Sequence, residues 1–131
     1  MTKVLVVTQI GSVEVVAYYA WSMASLSAQS LPDAMRKGVG GYPQPVVLLA
    51  RLGVDERHEG CGLGASLMQH VVRGTRRLSD EVGCRGLLVH CESASARQFY
   101  EHLIPEFVAS PTDPLHLVLL IKDIRRTVRG G

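Results

Sequence analysis

The sequence predicts an α/β chain built on a sheet of mixed sense. Three observations predict it. Short apolar runs rich in β-branched residues recur along the chain, as in "KVLVV", "PVVLLARLGV", "RGLLVHC" and "LHLVLLI". Two stretches carry helical spacing instead. Both lie in the middle of the chain, giving the order β-β-β-α-β-α-β-β, so helices alternate with strands only there and the sheet is not doubly wound.

"KVLVV" and "VEVVAYYAWS", separated by "TQIGS", read as an antiparallel hairpin. "LSAQSLPDAMRKGVGGYPQP" mixes Ser, Pro and Gly and reads as a loop with one helical turn after Pro32. "PVVLLARLGV" is a continuous apolar run, the pattern of a strand buried on both faces. Leu63, Leu67, Val71 and Leu78, with Met68 and Val72, then mark a helix from about Gly62 to Asp80, with Gly83 as its stop. "RGLLVHC" is a buried strand. "SASARQFYEHL" is a second helix, capped by Ser93 or Ser95 and ended by Pro105. "EFVAS" is a short strand, "PTDP" a turn and "LHLVLLI" the last strand, and the basic tail "RRTVRGG" is expected to fray.

At 131 residues one domain, residues 1–131, is the default, long enough to bury a core without staples. An apolar share of 47% and a charged share of 20% exclude disorder, and a net charge of +2 does not by itself imply nucleic acid. Three cysteines without disulfide-style spacing point to a reducing compartment. The N-terminal apolar run is too short for a signal peptide, and no run reaches the ~20 residues of a membrane span. The expectation is a cytoplasmic protein.

The informative stretch is "VDERHEGCGLGASLMQHVV", where Gly60, Gly62 and Gly64 alternate between a strand and a helix. A helix start has free N–H groups and a partial positive charge, and glycines allow close approach and positive φ. Phosphate is the usual guest of such a site. The alternative is a tight turn of small residues packed under a helix. Gly64 is followed by Ala65 and Ser66, which rules out the Gly-Lys-Ser/Thr loop, and the G-x-G-x-x-G spacing is absent.

What fits is Arg-x-x-Gly-x-Gly at Arg57, Gly60 and Gly62, followed by Leu63-Gly64. Here the sequence resembles the GNAT superfamily of N-acetyltransferases, and "SASARQFYEHLIPEF" resembles that family's second landmark. "ARLGVDERHEGCGLG", "VAYYA" and "FYEHLIPEFVASPTDPLHLVLLIKDI" are similar to one subgroup, the tRNA-acetylating toxins of bacterial toxin–antitoxin pairs. The resemblance spans roughly residues 4–124. It implies a GNAT fold: a central, mostly antiparallel sheet with helices on both faces. The chain begins at what would be that fold's second strand, so the first strand and a helix pair are expected to be missing.

The resemblance also implies a site. Acetyl-coenzyme A would lie on Leu52, Gly53, Val54, Arg57, His58, Glu59, Gly60, Cys61, Gly62, Leu63, Gly64, Ala65, Ser93 and Phe99. Backbone N–H groups of Leu52 to Val54, on a strand that splays from its neighbour, would face the thioester oxygen as it gains charge. Tyr100 would protonate the departing thiolate, the phenol's ordinary pKa of ~10 lying near that of a thiol. Residues adjacent on a helix point about 100° apart, so Phe99 is expected in the core and Tyr100 in the cleft. Asp55, His90 and Glu92 are candidate bases by proximity to the strand ends, each with a solvated or structural alternative. Glu59 and Cys61 stand where the family often has basic or amide residues.

Arg73, Arg76 and Arg77 share a helix face by spacing, and with Arg97 they are the candidate tRNA contacts, against an ordinary solvated face. A ribbon-helix-helix antitoxin and a homodimer are expected from the resemblance, with "IRRTVRGG" as a patch for an acidic partner segment. No membrane partner is expected. The His and Cys spacings match no zinc site, so no metal is expected, and Cys61 is of interest as an exposed thiol in the loop. The leading function is a toxin acetylating the amino group of aminoacyl-tRNA. The alternatives are acetyl transfer to a small-molecule or protein amine, and a coenzyme-binding chain without turnover.

Overall fold

A computed structural model describes residues 2–129, and the side-chain surroundings of residues 2–126. The elements are β1 (Thr2–Thr8), β2 (Val15–Leu26), α1 (Asp33–Arg36), β3 (Gln44–Val54), α2 (Leu63–Val82), β4 (Gly86–His90), α3 (Ala94–Leu103), β5 (Val108–Ser110), β6 (Asp113–Leu120) and α4 (Ile121–Arg129). The six strands form one sheet in the order β1-β2-β3-β4-β6-β5. Only β3 and β4 run parallel. The others pair antiparallel. Mixed sense follows from the connections: a hairpin joins β1 to β2, whereas α2 carries the chain across from β3 to β4.

The strand period of two sends alternate side chains to opposite faces. Ala17, Tyr19, Val47, Leu49, Val89 and Leu117 face the main core, where α2, α3 and α4 cover them. Val46, Leu88, Val118 and Leu120 face the other way and meet Leu31 and Met35. Helices therefore flank both faces, three on the first and the short α1 on the second. The mostly antiparallel sheet that the resemblance implies is present, with one parallel pair. Among the described residues no helix is long and apolar enough to cross a membrane.

Two expectations need correction. β3 is not buried on both faces throughout, because Ala50 and Arg51 are exposed. The strand leaves the sheet's interior after Leu49, for a reason that matters to the site. The basic tail is not frayed as far as Arg129. Ile121–Arg129 form α4. Ile124 is fully buried against the α2 layer, and the Arg125 guanidinium lies 3.5 Å from Asp80 on α2. Ile121 and Ile124, at i, i+3, carry the signal, and the strand-like "LLI" before them conceals it. Gly130 and Gly131 lie outside the described residues.

Candidate functional site

β3 and β4 pair only from Val47↔Leu87 to Leu49↔Val89. Beyond that β3 runs on to Val54 while β4 ends at His90, so the strands part. A bulge sets the parting. Leu49 pairs with Trp21 and Arg51 with Ala20, leaving Ala50 without a partner on β2. Such an extra residue bends the strand that carries it. Past the bulge, Asp55 N–H donates to Val16 O at 2.7 Å, toward β2. Alternation then turns the N–H groups of Leu52 and Val54 away from β2, toward the parted side.

Below this opening the chain enters α2. The Asp55 carboxylate accepts from Arg57 N–H at 2.9 Å and shapes the turn at Glu56–His58. Gly60 (φ +83°) and Gly62 (φ +84°) then take left-handed backbone conformations. Gly62 is the N-cap of α2 and has no side chain to cap it. The first bond of the helix runs from Ser66 N–H to Gly62 O at 3.0 Å. The N–H groups of Leu63, Gly64 and Ala65 are thus left without an intrahelical acceptor. Gly64 lets the Phe99 ring lie close: a Cβ there would sit 2.9 Å from the ring tip and displace it.

These parts enclose one cleft of about 480 Å³, lined by Leu52, Val54, His58, Glu59, Gly60, Gly62, Leu63, Gly64, Ala65, Phe99 and Leu103. Of the residues expected there, Gly53, Arg57, Cys61 and Ser93 are not among its walls. Gly53 packs on Tyr18 across β2. Arg57 pairs with Glu14 and Asp55. The Cys61 thiol donates to His58 O. Ser93 Oγ caps α3 by accepting from Ala96 N–H at 3.1 Å. Leu103 is a wall that sequence reasoning missed, although it lies one helical turn past Phe99 and that spacing was available as a signal.

The expected orientation of the aromatic pair is reversed. Tyr100 is 6% exposed and sits in the main core beside Phe107, while Phe99 is 40% exposed at the cleft. The angle between the two holds, and the phase is the opposite one. Ala96 and Tyr100 of α3, with Ile104 at its C-cap, form the stripe that meets the core, which leaves Phe99 to cover Gly64. Burial, reinforced by negative charge at Cys91 and Glu92, pushes the Tyr100 phenol up to about 12. Among the described residues, His58 Nδ1 is the one fully buried side-chain polar atom without a hydrogen-bond partner.

The candidate bases differ in availability. Asp55 is engaged by Arg57. Glu92 is exposed. His90 is exposed and stacks on His116 at 4.0 Å between ring centroids. Of the arginines, Arg97 is committed within the chain, to Glu101 at 2.8 Å and to Pro114 O at 2.7 Å. Arg73 and Arg77 are exposed and Arg76 is half-buried. Arg77 borders a second opening of about 340 Å³ with Lys3, Tyr19, Trp21, His70 and Glu81.

The arrangement can hold an anion at the start of α2, an apolar arm along Phe99 and Leu103, and a carbonyl oxygen at the parted strands. Residues 14–103 match the model of the Acetyltransferase (GNAT) family. The chain is 40% identical over 114 residues to a tRNA-acetylating toxin of Mycobacterium tuberculosis, covering 87% of this chain and 67% of the toxin. It superimposes on AtaT complexed with acetyl-methionyl-tRNAfMet (TM-score 0.78, 27% identity, 87% of this chain and 67% of that one). It also superimposes on AtaTR bound with AcCoA (TM-score 0.70, 27% identity, 87% and 66%). The chain thus spans about two thirds of the length of these relatives.

Proposed function

This chain belongs to the GNAT acetyltransferase family, and from that premise we propose that it transfers the acetyl group of acetyl-CoA to the amino group of aminoacyl-tRNA. It would act as the toxin of a toxin–antitoxin pair. One observation carries the reading: the parted end of β3 lies over an uncapped helix start, with an apolar wall between them. The 40% identity to a tRNA-acetylating toxin supports the substrate class.

The residues present fit acetyl-CoA, which supplies the activated acetyl group. The N–H groups of Leu63, Gly64 and Ala65 take its diphosphate, helped by the helix dipole. His58 lines the same cleft, with its buried Nδ1 3.9 Å from the Asp55 carboxylate. Phe99 and Leu103 hold the pantetheine arm. The N–H groups of Leu52 and Val54 face the carbonyl oxygen and stabilise its developing charge. The family resemblance assigns Tyr100 as general acid toward the departing thiolate; burial in the core pushes its phenol up to about 12, which keeps it protonated at neutral pH and makes it a weaker acid than a free phenol. The exposed Arg73 and Arg77 contact tRNA phosphates. The reading carries with it a cytoplasmic homodimer and a small ribbon-helix-helix antitoxin, both resting on the family resemblance.

The test is transfer of labelled acetyl from acetyl-CoA to bulk charged tRNA, with Tyr100→Phe alongside. The expected result is labelled tRNA with the unaltered protein and a fall of about 10²-fold in kcat with the variant. Retained coenzyme binding with no labelled tRNA overturns the tRNA assignment.

A further inference from the structure

The parting of β3 and β4 leaves strand ends on both faces of the sheet. On the face covered by α2 and α3, Leu52 and Val54 line the cleft assigned above to the coenzyme. The opposite face holds groups that the coenzyme reading does not use. His90 is the first β4 residue past the end of the β3–β4 ladder. Its side chain alternates away from Val89 in the main core and shares the face of Leu88. It pairs across the sheet with His116, and the rings stack at 4.0 Å with planes 13° apart. His116 Nε2 lies 3.4 Å from the Asp113 carboxylate, whose other oxygen accepts from Leu115 N–H at 2.9 Å. The strand end thus fixes Asp113, Asp113 faces His116, and His116 backs His90.

We propose that His90 is the general base for the acceptor amine, held in orientation by its stack on His116. This deepens the acetyl-transfer reading and rests on it. The donor and acceptor then reach the same gap from opposite faces, and the acceptor meets an exposed imidazole at its edge. The amine lone pair forms the C–N bond at the thioester carbonyl carbon, and the amine proton passes to a His90 ring nitrogen. The C–S electron pair leaves with sulfur, which takes a proton from Tyr100. His90 afterwards releases its proton to solvent, and Tyr100 regains one. The charged and titratable groups near His90 are His116 and Asp113 from β6, Arg51 from β3 and Glu92 beyond its own strand. Leu52 packs toward the main core, so alternation places the preceding Arg51 on the His90 face. Partial burial of the ring, then the charge of His116, holds the His90 pKa below its ordinary value, while Asp113 acts in the opposite direction. The imidazole is therefore neutral, and able to accept a proton, at pH 7.

The experiment measures kcat/KM against pH for acetylation of charged tRNA by the unaltered protein, His90→Asn and His116→Phe, with acetyl-CoA affinity measured for each. His90→Asn is expected to lose about 10²-fold in kcat/KM and the acid limb due to His90, with coenzyme affinity unchanged within about twofold. His116→Phe keeps an aromatic stack and removes a charge that lowers the His90 pKa. Its acid limb is therefore expected at higher pH. A His90→Asn protein with unaltered rate and profile overturns the assignment, as does one whose loss comes from weakened coenzyme binding. An acid limb unmoved in His116→Phe overturns the coupling of the pair. An unaltered protein that acetylates no charged tRNA overturns the proposed function and this assignment with it.

Discussion

The two ends of α2 carry the same residue in nearly the same conformation, Gly62 at φ +84° and Gly83 at φ +75°. At the C-terminal end the helix closes on itself. Gly83 N–H donates to Ser79 O at 3.0 Å, and the buried Cys84 thiol reaches Thr75 O at 3.7 Å. At the N-terminal end nothing closes. Gly62 offers no side chain, and the three N–H groups without an intrahelical acceptor belong to residues that line the cleft. The start of α3 makes the contrast clearer, because there Ser93 Oγ accepts from Ala96 N–H. The protein caps a helix where the cap serves only the helix. It leaves one open where an incoming anion can complete it. A left-handed glycine is therefore not in itself a sign of a site: what distinguishes the two is where the freed backbone groups point.

The comparison can be broken most severely by placing a carboxylate at the open end. Gly62→Asp is expected to lower acetyl-CoA affinity by about 10²-fold, from like charge near the diphosphate and a competing internal cap. Isothermal calorimetry reads the change directly, and unaltered affinity would remove the anion site from α2. A milder pair sharpens it. At both Gly62 and Gly83 the space a Cβ would take is open, with no atom within 4 Å, so alanine at either costs only backbone strain. Each substitution is expected to destabilise by about 1–2 kcal/mol in chemical denaturation. Only Gly62→Ala should weaken the coenzyme. Smallest is Ser93→Ala, expected to cost about 1 kcal/mol through the lost cap. It should leave coenzyme affinity within about twofold, since Ser93 does not line the cleft. A larger loss of affinity would show that α3's cap fixes Phe99 over Gly64.

Much of the site is legible in the amino-acid order alone. The alternating glycines and the apolar run before them place the loop, and nine of the cleft's walls, from Leu52 to Ala65, come from that one stretch. A local motif is legible because its chemistry is set by residues close in sequence. Phe99 joins them through the family resemblance. The errors arise where a helix has to choose a side. The 100° between Phe99 and Tyr100 follows from helix geometry, whereas the sheet decides which of them it covers. α4 escapes notice because "LHLVLLI" reads as a strand that runs through Ile121 and the basic residues beyond it read as a tail, whereas Ile124 finds a place in the core.

By itself the sequence determined the order of the six strands and the two long helices between them, the bare-backbone turn at Gly60 and Gly62, and the family to which they belong. These depend on local periodicity, on glycine's freedom at positive φ, and on residues a few positions apart. Only the tertiary structure decided that β3 parts from β4 after Leu49, that Tyr100 is buried while Phe99 faces the cleft, and that His90 stacks on His116 across 26 residues of chain. The reason is physical. Strand pairing and side-chain burial are settled between elements distant in sequence, through contacts that no local window contains.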